Sequence, residues 1–149
     1  MLCFFYMNKN LDFTHSNISN QNFSSSPISK EQIIEGSPVA RSLNISSSPD
    51  SLLQSGLWDC TAGKFYWTFY CDEIVHIIEG SVTVDTVDGK NPRTLNAGDV
   101  AYFPHGLKTI WHVHKYVKKI AIHRMAAPAF LPKRILGALK RRTLQLFKH

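Results

Sequence analysis

Between residues 53 and 124 the chain is built of short β-branched and aromatic runs, each stopped by a turn residue. "GLWDCT" ends at "AGK", "FYWTFYCDEIVHII" ends at Glu79-Gly80, and "SVTVDTV" alternates strictly up to Asp88-Gly89. "RTL" precedes "NAGD", "VAYF" precedes "PHG", and "KTIWHV" leads into "YVKKIAIH". Strands cut by Gly, Pro or Asp roughly every 8 to 12 residues fold as a sandwich or small barrel. No 3.6-residue apolar period competes with that reading in this region. An all-β domain is therefore expected, and an apolar content of 44% over 149 residues is enough to fill one core.

The flanks differ in kind. Residues 8 to 30 are rich in Asn and Ser and poor in aliphatics, so they cannot bury enough surface to offset the entropy of ordering. The expected organisation is a disordered, low-complexity extension over 1–37, a β domain over 38–125 and a tail over 126–149. After Pro132 the tail places Ile135, Leu136, Leu139, Leu146 and Phe147 near a helical repeat, with bases largely on the other side. A basic amphipathic C-terminal helix follows from that pattern. It would pack its stripe on the sheet or on a partner, or lie on an anionic membrane surface.

Charge is uneven. Of 17 Lys and Arg, six (Lys133, Arg134, Lys140, Arg141, Arg142, Lys148) fall in the last 17 residues, where there is no acid. The remainder of the chain balances its 11 acids, so the net +6 belongs to the tail and does not mark the domain as a nucleic-acid binder. The start, "MLCFFYMNKN", is too short in apolar residues for a secretory leader, and translation from Met7 accounts for it equally well. Cys3, Cys60 and Cys71 have no metal-type spacing, and their odd number fits a reducing compartment. A cytoplasmic location is the expectation.

With these segments in view, the chain resembles the cupin superfamily. Glu73, six residues and Gly80 fit the end of that family's first motif. Gly98, "DVAYF" and Pro104-His105-Gly106 fit the start of its second. The longer string "SGLWDCTAGKF…DEIVHIIEGSVTV…LNAGDVAYFPHGLKTIWHVHKYVKK" is similar to the small cupins related to ureidoglycine aminohydrolase and the ethanolamine-utilisation cupin. The resemblance implies a double-stranded β-helix, or jelly roll, often a homodimer.

It also implies a metal site that these residues do not supply. Such a site needs several His nitrogens and a carboxylate. Reading back from Glu73, the first-motif histidines fall on Tyr66 and Thr68, or on Trp67 and Phe69; the second-motif histidine falls on Thr109 and its Asn on Val113. Only the carboxylate remains, so no cofactor is expected beyond a weakly held divalent metal at Glu73. Strand alternation puts Cys71, Val75 and Ile77 on the face of Glu73, with His76, His112 and His114 on the opposite one. His123 is left without a face.

The candidate site is then Glu73 as acceptor or general base, the latter if desolvation raises its pKa. Tyr66, Thr68, Thr109 and Trp111 join it as substrate-binding groups. Lys119 matches a lysine of the resembled family; facing inward it would pair with Glu73 and hold an organic acid or amine, and facing outward it would be a solvated charge. Two functions follow. One is a cupin that binds a small polar metabolite through a degenerate, His-less site. The other is a non-catalytic dimerising module whose basic helix docks a partner or membrane.

Overall fold

The computed structural model describes residues 12–19 and 22–126. It contains eight strands: β1 (Ser24–Ser25), β2 (Ile33–Gly36), β3 (Ala40–Ser47), β4 (Leu53–Thr68), β5 (Asp72–Thr86), β6 (Arg93–Asn96), β7 (Val100–Phe103) and β8 (Lys108–Arg124). All pairings are antiparallel, in the order β1-β3-β4-β8-β5-β6, with β2 added to β4 and β7 added to β5. The only helical piece among the described residues is one 3-10 turn, Lys30–Gln32. No described helix is long and apolar enough to cross a membrane.

Three strands of 15 to 17 residues, β4, β5 and β8, lie side by side, and β4 and β5 pass through places expected to be turns. The "AGK" segment does not end a strand. It is a shift of register in β4 against β8 between Thr61 and Gly63. Likewise Glu79-Gly80 sits inside β5, where the pairing with β8 shifts between Ile77 and Glu79 and again between Gly80 and Thr83. An extra residue bends a strand and increases its twist without stopping it. These irregularities let the three strands fold the sheet over on itself as a jelly roll.

The two halves meet through aromatic rings. Trp58, before the β4 irregularity, packs edge-on against Trp111 and Phe65 at centroid distances of 5.9 and 6.4 Å. Phe69 stacks on Phe103 at 4.4 Å. Val75, Ile77, Val82, Val113 and Val117 complete the buried centre. Gly80 is indispensable to the crossing of β5 and β8: its φ is +71°, and a Cβ there would lie 2.0 Å from the Tyr116 carbonyl oxygen.

Residues before 38 also join the sheet. β1 pairs with β3, β2 pairs with β4, and Ile28 is buried in the core. A further anchor is Phe23, whose ring lies 5.0 Å from the Arg41 guanidinium and 5.5 Å from Lys118 Nζ. The polar composition of 8–30 concealed these few anchoring side chains. Arg41 in turn binds the buried Asp59 through Nε at 3.0 Å and a second nitrogen at 2.5 Å, and the Tyr116 hydroxyl donates to the same carboxylate at 3.0 Å. The tail helix expected over 126–149 and residues 1–11 of the extension lie outside the described residues, apart from Ala126.

Candidate functional site

Glu73 is the third residue of a segment, Cys71–Ile77, in which every odd position is buried. Strand alternation turns its carboxylate into the barrel. Across the ladder, β8 places Lys119 opposite Ile77 and His123 opposite Glu73. Lys119 and His123 are four residues apart, so both share the inner face. Lys119 Nζ donates to Glu73 Oε1 at 2.6 Å, and His123 Nε2 lies 3.3 Å from Oε2. Glu73 and Lys119 are each 3% exposed.

The electrostatics follow from this contact. Burial alone would raise the Glu73 pKa, but the ammonium of Lys119 and the imidazole of His123 more than reverse it, and the value falls to about 2. The contact with Lys119 and His123 thus works against the raised pKa that a general base at Glu73 would use. Lys119 faces inward, which resolves the alternative left open by the sequence. Its Nζ also lies 4.7 Å from the Trp111 ring and 5.1 Å from the Trp58 ring, within cation–π range.

Above this pair lies a pocket of about 270 Å³, with Trp58, Trp67, Tyr70, Glu73, Lys119 and His123 among its lining residues. Tyr70 stacks on His123 with ring centroids 5.8 Å apart. The pocket thus combines one ion pair, one imidazole and three aromatic rings. Ser42, Asn44, Gln54 and Ser55 also line it, so its wall mixes aromatic rings with polar groups, the combination that fixes a small polar ligand.

The expected site residues divide into three groups. Glu73 and Lys119 come together as anticipated. Trp111 and Thr109 are inward but lie in the packed core: the Trp111 indole donates to Thr109 Oγ1 at 3.1 Å, and that hydroxyl donates to the Trp67 carbonyl at 3.1 Å. Tyr66 and Thr68 are exposed on the outer face of β4, away from the pocket. Motif spacing from Glu73 left Tyr66 with Thr68, or Trp67 with Phe69, as alternatives, and it is the second pair that faces inward. Before the register shift between Thr61 and Gly63 the inner positions of β4 are Trp58 and Cys60; beyond it they are Phe65 and Trp67.

Trp58 and His123 belong to the site and were not expected in it. The face of His123 was readable once Lys119 was placed inward, because residues 119, 121 and 123 share parity. The thiols offer little reactivity: burial pushes Cys60 up to about 12 and also raises Cys71. His76 and His114 are exposed, as alternation required, and the ring of His112 lies 4.0 Å from that of His114 on the same outer face.

A metal fits this site poorly. A cation bound to Glu73 would have to displace the ammonium already 2.6 Å from Oε1, leaving one carboxylate and one imidazole as donors. The weak divalent site considered for Glu73 is therefore disfavoured by its own neighbour. No group of three or more His, Cys, Asp or Glu that could hold a metal is found among the described residues.

Comparison with known proteins agrees with this architecture. A family model described as the EutQ-like cupin domain matches residues 47–121. Among solved structures, the chain is similar to a DUF861-family protein of unknown function from Pseudomonas syringae pv. tomato. They share 27% identity and a TM-score of 0.62, over 68% of this chain and 44% of that one. It is also similar to the EutQ protein of Clostridium difficile, with 26% identity and a TM-score of 0.53, over 60% of this chain and 65% of that one. The chain thus spans less than two thirds of the length of either relative. A comparison with curated proteins finds no match.

Proposed function

Because the chain belongs to the EutQ-like cupin domain family, we propose that it binds a small polar metabolite in the barrel without a metal, using the buried Lys119–Glu73 pair as its polar anchor. The observation that carries this reading is that pair, 2.6 Å apart with both side chains about 4% exposed, at the base of an aromatic-lined pocket. A buried ion pair is weak evidence of stability, since apolar residues of the same volume often serve a core as well or better. Placed where the fold opens to a ligand, it has a different use.

The ammonium holds the carboxylate ionised, and the carboxylate offsets the ammonium's charge. Glu73 is in consequence a hydrogen-bond acceptor with little tendency to take up a proton. An acid–base step through it at neutral pH would be inefficient, because a useful catalytic pKa lies near the working pH. The site is better suited to holding a molecule than to moving its protons. Family membership supplies the architecture, while the activities of the longer relatives are not carried over.

The experiment is a calorimetric and thermal-shift screen of small acids, amides and amines against the full chain, repeated on Lys119→Met. The reading expects at least one class to stabilise the wild type and to lose about tenfold or more in affinity on loss of the buried charge. Undiminished binding by Lys119→Met, or no binding by any class, would overturn it.

A further inference from the structure

Trp58 carries one chemical demand that the protein does not meet. It is 8% exposed, and its Nε1 is buried with no hydrogen-bond partner, the only such side-chain atom among the described residues. Buried polar groups are almost always paired, because a donor cut off from water and left unpartnered costs free energy. Trp67 lines the same pocket, but its ring nitrogen is not among the buried unpartnered atoms, and Trp111 lies elsewhere. The Trp111 indole is satisfied by Thr109 in the core, whereas Trp58 lines the pocket opposite Lys119 in the β4–β8 ladder.

The chemistry at this end of the pocket is one-sided. An indole N–H can only donate, and an ammonium can only donate. Lys119 has three N–H bonds, and Glu73 Oε1 is its only hydrogen-bond acceptor among the described residues. A ligand amine would bring further donors to groups that already lack acceptors. A planar oxygen acceptor would satisfy them.

We propose that the pocket takes a small carboxylic acid or the corresponding amide, its sp2 oxygen accepting from Trp58 Nε1 and from Lys119 and its apolar body resting against Trp67 and Tyr70. This rests on the metabolite-binding reading and narrows it to a head-group class. Because Glu73 offsets the charge of Lys119, the pair supplies donors without requiring a full negative charge. Carboxylate and carboxamide therefore share the recognition chemistry.

Benzoate, benzamide and benzylamine make a matched test, since they share a ring and differ in the head group. They are titrated into the 15N-labelled full chain, with Trp58→Phe used to identify the Trp58 indole signal among the three tryptophans. Benzoate and benzamide are expected to move that proton downfield and to bind about fivefold or more tighter than benzylamine. Trp58→Phe should lose about fivefold for the first two and nothing for the third. If Trp58→Phe does not fold, the signal is assigned by exclusion, Trp111 from its contact with Thr109 and Trp67 from a Trp67→Leu variant.

Benzylamine binding best, or benzoate binding with the Trp58 indole signal unmoved, would overturn the head-group assignment and leave the pocket reading intact. Failure of all three, together with the whole screen above, would remove the reading beneath it. A response to benzoate without benzamide would assign the site to anions and overturn the amide half.

Discussion

Lys119 Nζ and Glu73 Oε1 are 2.6 Å apart, with about 4% of each side chain exposed. At that burial neither charge is hydrated by bulk water, so each is the main compensation for the other. Lys119→Met would leave a carboxylate inside the barrel with only His123 beside it. The expected cost is about 3–5 kcal/mol, the usual penalty for breaking a buried pair from one side. Adding Glu73→Leu should restore a substantial part, because the orphaned charge goes with it. Urea denaturation of the two single variants and the double variant checks this. A double variant as unstable as the sum of the singles would mean that the two residues are not coupled.

Stability should also fall in acid within a defined window. The Glu73 pKa drops from an ordinary 4.5 to about 2 in the folded state. A depressed carboxylate contributes its stabilisation above the unfolded value and loses it as pH falls through the folded one. The contribution is therefore complete above pH 4.5 and lost progressively towards pH 2, and it amounts to roughly 3 kcal/mol. Asp72 is also depressed to about 2, by its bond to Arg124 first and by the His105 backbone N–H next, and loses its contribution in the same direction. Glu73→Gln should flatten the Glu73 share of that acid limb. An unchanged slope would show that the carboxylate titrates normally.

The separation of legible from illegible features follows the bulges. Glu73, Cys71, Val75 and Ile77 were placed correctly because Cys71–Ile77 keeps one unbroken alternation. Thr109 and Trp111 share the same parity and are buried as expected. Motif spacing from Glu73 left Tyr66 and Thr68, or Trp67 and Phe69, as alternatives that only the structure separates, and nothing in "CTAGKFYW" distinguishes a bulge from a turn. The same difficulty made Glu79-Gly80 read as the end of a strand. Ile28 and Phe23 were hidden for another reason. They are isolated apolar residues in a polar stretch, and only the groove and the cations they meet give them value.

Gly80 offers a sharp test of the bend. With φ at +71° and the Tyr116 carbonyl oxygen 2.0 Å from where a Cβ would sit, alanine meets both backbone strain and a clash with main chain. Gly80→Ala should cost roughly 3 kcal/mol or more, or prevent accumulation of folded protein. Gly98 has φ at +98° but nothing within 4 Å of a built Cβ, so Gly98→Ala should cost only about 1 kcal/mol of strain. Denaturation midpoints compare the two. Equal effects would indicate that β5 and β8 do not cross as closely as described.

The change of parity in β4 has a functional consequence that mutagenesis can read. Trp67 lines the pocket and packs on Trp58 and Phe65 at centroid distances of 6.0 and 6.1 Å. Tyr66, its neighbour in sequence, is 46% exposed on the other face. Tyr66→Ser should therefore change stability by no more than about 0.5 kcal/mol, as for most exposed positions, and leave ligand affinity unaltered. Trp67→Leu keeps an apolar side chain but removes the ring, so ligand affinity should fall while the fold survives. Thermal shift with benzoate, set beside each variant's own melting temperature, separates the two effects. Loss of binding by Tyr66→Ser with binding retained by Trp67→Leu would require the opposite register beyond Thr61, and with it a different inner face.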